Sequence, residues 1–225
     1  MTKKSKLLNK ILNIYTLIGF ALIALSLVFL LTPSLPYLWY LVNKGATDQE
    51  IDSLVGPVQP RADPEISFED IIKKYEENYA NEDKVKLPEL DKSLTKKNTL
   101  IIPNIGVNGE IHEGTNAEKT LEKGIWRVND YGTPEDKVPI ILAAHRFGYI
   151  TWSWDFRKKD SFYYLPKTKV GDKVEIIWKQ RKYKYEIYKA EENTQIKDYN
   201  ADLILYTCKL FNSPVRVFRY AKRVN

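Results

Sequence analysis

Along this 225-residue chain the apolar positions change their period sharply, and the changes mark out the elements. From Ile11 to Leu31 the run "ILNIYTLIGFALIALSLVFLL" contains no charge. As a helix rising about 1.5 Å per residue it spans a hydrocarbon core of about 30 Å. The preceding "MTKKSKLLNK" carries Lys3, Lys4, Lys6 and Lys10 and no acid. No small-residue cleavage site follows, and Tyr37, Trp39 and Tyr40 suit a membrane interface. The pattern predicts a cytoplasmic basic flank over 1–10 and an uncleaved single-pass transmembrane anchor over 11–31. The excess of lysine before the anchor leaves the N-terminus in the cytoplasm and everything after it outside the cell membrane.

Residues 32–97 lose the apolar periodicity and read as an extracytoplasmic stalk. Prolines and scattered acids in "KGATDQEIDSLVGPVQPRADPEIS" give a linker. One short helix is predicted near 67–79, where Phe68, Ile71, Ile72 and Tyr75 share a face and Ser67 caps the start. After Asn98 short apolar runs alternate with turn residues. Strands are predicted near 99–103, 107–112, 124–128, 138–145, 172–179, 182–191, 203–208 and 215–223. A short helix over "NAEKTLEKG" ends at Gly124. This spacing predicts a single all-β domain over 98–225, a closed eight-stranded barrel with one or two short helices.

The net charge of +6 changes little, because four lysines flank the anchor and the rest is mixed; nucleic acid is not an expected partner. The single cysteine, Cys208, changes more. In an exported domain a lone thiol is either a small buried hydrophobe or a reactive group, and location alone leaves both open. "KLFNSPV" separates Cys208 from Arg216 and contains a turn signal. An antiparallel hairpin would therefore set thiol and guanidinium opposite each other, with Cβ atoms about 4.5–5.5 Å apart. Strand parity groups Arg216 with Phe218 and Tyr220 and turns Arg219 to the other face, so Arg216→Ala is expected to be severely slowed and Arg219→Ala nearly neutral.

Of the two histidines, His112 lies inside a predicted strand and reads as a surface or structural residue. His145 ends "PIILAAH" where a strand opens into a loop, a favoured place for functional side chains. A thiol needs a cationic or basic neighbour to react near neutral pH. The order His before Cys is the reverse of papain-like peptidases. One Cys and two distant His form no zinc spacing, and no Gly-rich phosphate loop is present. Acids in 130–136 and 191–198 match no calcium loop, so neither a metal nor a cofactor is expected. The aromatic-rich 147–165 reads as core or cover, with a wall for a substrate groove as the other reading.

Taken in order, these motifs make residues 98–225 resemble a sortase. "TLIIPNIGVNGEIHEG" resembles the opening strands of that family, "GIWR" the segment before its next strands, and "IILAAHRF" its A-G-H-R element. "LILYTC" resembles the T-L-x-T-C motif and "RVFRYAK" the last strand with its arginine. Anchor and stalk match the usual layout of the family. The chain departs from the pattern at Ile204, at Ala144, and at Trp126-Arg127.

The resemblance implies a cysteine transpeptidase that cuts an LPxTG-like C-terminal sorting signal of a surface protein. The acyl group would pass through a thioester on Cys208 to an amine, such as a cell-wall peptide or a pilin lysine. Cys208 would be the nucleophile, His145 the general acid and base, and Arg216 would donate to the tetrahedral oxyanion or hold the substrate carbonyl. Thr207, Trp126 and Phe147 are candidate substrate-binding residues. Two other outcomes remain: a thiol peptidase that only hydrolyses, and a catalytically silent membrane-anchored binding barrel.

Overall fold

The computed structural model describes residues 3–31 (side chains over 12–28), 87–129, 131–210 and 213–224. The N-terminal run forms a single 29-residue helix, α1 (Lys3–Leu31). Leu12, Leu17, Phe20 and Leu22 on it are each more than half exposed. Among the described residues, no helix is long and apolar enough to cross a membrane. The helix expected near 67–79 lies outside the described residues.

In the second unit the period of two takes over. Along β6 (Arg181–Asn193), Tyr183, Tyr185 and Ile187 are buried while Lys182, Lys184 and Tyr188 are exposed. The other strands are β1 (Thr99–Ile102), β2 (Val107–His112), β3 (Ile125–Arg127), β4 (Ile140–Ala143), β5 (Lys173–Trp178), β7 (Leu203–Cys208) and β8 (Arg216–Val224). They close in the order β1-β2-β3-β4-β7-β8-β6-β5, so no strand leaves an unpaired edge. The expected closed eight-stranded barrel is what forms.

Two apolar layers explain why "IILA" and "LILYT" read as continuous rather than alternating runs. Leu142, Leu203, Leu205 and Ala221 face the barrel interior. Ile141, Ala143, Ile204, Tyr206, Phe218 and Tyr220 face outward into a second cluster with Trp126, Leu121 and Ile196. A strand covered on both sides gains from apolar residues at every position. The cover comes partly from α2 (Ala117–Leu121), whose Asn116 side chain accepts from the Lys119 N–H at 2.8 Å. Past α2 the chain turns through Gly124 at φ 130°, where a Cβ would lie 2.9 Å from the Asp160 carbonyl oxygen.

Three local expectations shift. The strand expected over 138–145 is only 140–143, so His145 stands beyond the ladder. A helix, α3 (Trp154–Lys159), forms inside the aromatic-rich segment, capped by Ser153 and ending in Arg157, Lys158 and Lys159. The end of the expected stalk is bound to the barrel rather than loose. There, Lys179 and Gln180 form the β5–β6 turn with φ of 49° and 58°, an unfavourable region for both residue types. Asn98 accepts from the Lys179 N–H, and the Gln180 amide donates to the carbonyls of Lys92 and Leu94, so residues 92–98 hold the turn.

Candidate active site

The site is built from the ends of β4, β7 and the start of β8. β4 and β7 run parallel, with Ala143 opposite Tyr206. The pairing continues past the ladder, since the Ala144 carbonyl accepts from the Thr207 hydroxyl at 2.7 Å. His145 is two residues beyond Ala143 and Cys208 two beyond Tyr206, so both stand at one level. β7 and β8 are antiparallel, and Cys208 is the direct partner of Arg216. By alternation all three side chains belong to the outward face, the one that carries Ala143, Tyr206 and Phe218. The three meet at the rim of the outer layer, not inside the barrel.

Each member is held by its surroundings. Cys208 is half-buried. Arg216 is only 3 % exposed, and its Nη1 donates to the carbonyls of Ser213 and Val215 in the chain between β7 and β8. Arg146, next to the histidine, donates to the Lys209 carbonyl, which fastens the loop after β4 to the residue after the cysteine. His145 is 4 % exposed, and its carbonyl accepts from the Phe162 N–H at 3.1 Å. Burial, and then the positive charge of Arg216, pull the imidazole down to about 4, so the ring is neutral at pH 7. Burial likewise raises Tyr206, on which the charges of Arg216 and Cys208 act with opposite sign. By register, then, the thiol's direct partner is the cation Arg216, and a neutral imidazole stands at the same level past the end of β4. That pairing suits a thiol nucleophile with a proton carrier.

The family profile described as "Sortase domain" matches residues 100–224, more than half of the chain. The chain belongs to the sortase family. Members of this family are cysteine transpeptidases, and the single cysteine is present. Solved structures similar to the chain include Streptococcus agalactiae sortase C1 in its type II crystal form. It is 22 % identical, with 69 % of this chain and 87 % of that one covered and a TM-score of 0.48. A Clostridium perfringens sortase D5 transpeptidase is 18 % identical over 68 % of this chain and 89 % of that one, TM-score 0.46. Sortase C-1 from Actinomyces oris is 18 % identical over 68 % and 97 %, TM-score 0.45. A comparison with curated proteins gives no match.

In this sortase the other expected site residues sit differently. Thr207 points to the opposite face from Cys208, is buried, and donates its hydroxyl to the Ala144 carbonyl, which ties β4 to β7. Trp126 is packed in the outer cluster, and its indole N–H donates to the Gly114 carbonyl at 3.2 Å. The ring is thereby a wall of that layer. Phe147 is half-buried beside Arg146, whose guanidinium lies 5.1 Å from the ring centre. His112 is on β2, which neighbours neither β7 nor β8. Among the described residues no group of three His, Cys, Asp or Glu is arranged for a metal. Several acids of the two candidate loops are engaged elsewhere, Glu135 with Lys179, Asp136 with Thr133, and Asp198 with Tyr188.

Two residues beside His145 were missed by the sequence reading. Tyr149 lies edge-on to the imidazole, 5.4 Å between ring centres, and Trp152 lies 6.2 Å away. Both belong to the aromatic segment that reads as packing. The available signal was their distance along the chain, four and seven residues after the histidine, across a glycine able to turn the loop back.

Proposed function

We propose that this sortase cleaves a C-terminal sorting signal of a surface protein at Cys208 and transfers the acyl group to an amine. The observation that supports it is the register: Cys208 opposite Arg216 on β8, with His145 two residues past the end of the neighbouring β4, at the same level. His145 takes the thiol proton, and the sulfur attacks the scissile carbonyl carbon. Negative charge on sulfur offsets the cost of charging a buried ring, so thiolate and imidazolium form together. The carbonyl oxygen becomes an oxyanion, and Arg216 donates to it. His145 then gives its proton to the departing amine nitrogen, the C–N bond breaks, and a thioester remains. An incoming amine attacks that thioester, gives its proton to His145, and the thiolate leaves.

The full chain, incubated with LPxTG-like peptides and several primary amines and read by mass, is expected to yield an amine-joined product. Free acid alone would make it a thiol peptidase. No product, together with a thiol that resists alkylation at neutral pH, would make it a binding barrel.

The N-terminal helix we take as a single-pass anchor with the barrel extracytoplasmic. The uncharged run 11–31 and the lysines before it support this. The chain should stay with membranes through alkaline carbonate extraction; release into the soluble fraction would refute the anchor.

A further inference from the structure

We propose that Tyr149 is the positioning residue of the imidazole: its hydroxyl holds His145 by Nε2 and so leaves Nδ1 as the nitrogen that exchanges protons with Cys208 and the amines. The inference rests on the acid–base role given above to His145 and adds to it a choice of ring nitrogen and the group that fixes the choice.

The Tyr149 hydroxyl lies 3.4 Å from Nε2, and the rings meet at 83°. This contact is enforced by the loop. Gly148 turns the chain back at φ 68°, where an added Cβ would lie 2.1 Å from the Trp152 ring. No residue with a side chain fits that bend unless Trp152 moves. Trp152 packs 5.3 Å from Tyr149, and its indole N–H donates to the Glu122 carbonyl at 3.2 Å. From α3, Arg157 donates to the carbonyls of Phe147 and Tyr149, on both sides of the glycine. The charge acting on the ring is that of Arg216 on β8, while burial, and then Glu122 and Glu118, act on the tyrosine and disfavour its ionisation. Tyr149 therefore stays a neutral phenol.

The chemistry dictates which way the hydrogen bond runs. To take the thiol proton, Nδ1 of the resting neutral ring must carry a lone pair, so the proton sits on Nε2 and is donated to the Tyr149 oxygen. Nε2–H keeps the same acceptor when the ring becomes imidazolium and again after the leaving amine has taken the Nδ1 proton. One nitrogen is held throughout and the other cycles, the role that an orienting third group plays beside other nucleophile–base pairs. A phenol accepts the bond without adding a negative charge that would pull the proton permanently onto the ring.

The test is nitrogen-15 NMR of histidine-labelled full chain at neutral pH. The chain has two histidines, and His112→Gln leaves one. We expect His145 to show a protonated Nε2 with a slowly exchanging proton, and a bare Nδ1. Tyr149→Phe keeps the ring and removes the acceptor; it should move the Nε2 signal, speed exchange of its proton, and lower kcat roughly fivefold to tenfold with KM held. Retained melting behaviour in Tyr149→Phe separates positioning from folding. A proton on Nδ1 in the parent protein, or nitrogen signals unchanged in Tyr149→Phe, would overturn the proposal. The nitrogen signals and the proton exchange need no substrate, so a failure of the transfer assay leaves them interpretable and is counted against the proposed reaction alone.

Discussion

Cys208→Ala should form no thioester and release no peptide, because the chain holds no other thiol. Nucleophilic catalysis divides the transfer into two steps that share the sulfur, and removing the sulfur removes both. The parent protein should show a mass increase equal to the acyl fragment when quenched during turnover, and the variant none. Cleavage retained by the alanine variant would end the assignment. The control is mild for the fold, since Cys208 is half-buried at a strand end and its backbone pairing with Arg216 does not depend on the side chain.

Arg216→Ala should lower kcat about 100-fold to 1,000-fold, the loss seen when one preorganised oxyanion donor is removed. Arg216→Lys should recover only part, since an ammonium lacks the planar fork that reaches both the Ser213 carbonyl and a substrate oxygen. Arg219 gives the contrast. It faces away from Arg216, and what the structure adds is a role in stability. Arg219 is 6 % exposed and donates to the Thr168 hydroxyl at 2.7 Å, to the Phe218 carbonyl at 2.8 Å and to the Pro166 carbonyl at 3.0 Å. Removing it leaves buried acceptors without a donor, a cost on the order of 2–3 kcal/mol. Arg219→Ala should therefore lower the melting temperature while kcat, measured where the protein is folded, stays near the parent value. Equal losses of kcat in the two alanine variants would mean that the oxyanion role is misplaced.

The relation of thiol to guanidinium was readable from the sequence because it is nearly local. A turn signal within "KLFNSPV" and an alternating pattern on each side suffice to pair residues 208 and 216, and the register is as expected. The histidine was harder. His145 reaches the pair only because β4 lies parallel to β7, and that neighbour relation is settled by 59 residues of intervening chain folding elsewhere. The surroundings of the binding candidates were illegible for the same reason. Nothing in "YTC" tells that Thr207 will find the Ala144 carbonyl, or in "GIWR" that Trp126 will be sealed by Gly114. α3 was passed over because aromatic density outweighed a Ser153 cap followed by Asp155, although basic residues in its last turn completed the pattern.

By itself the sequence determined the strand count, the identity of the thiol and its cationic partner, and the face of β8 on which that partner stands. These depend on alternation and on one short hairpin, interactions between residues near in sequence. Only the tertiary structure decided that the barrel carries a second apolar layer outside it and that the site lies at that layer's rim. The cover of aromatics drawn over His145 was decided there too. Such features arise where distant segments exclude water from the same surface, and no local pattern records which segments will meet.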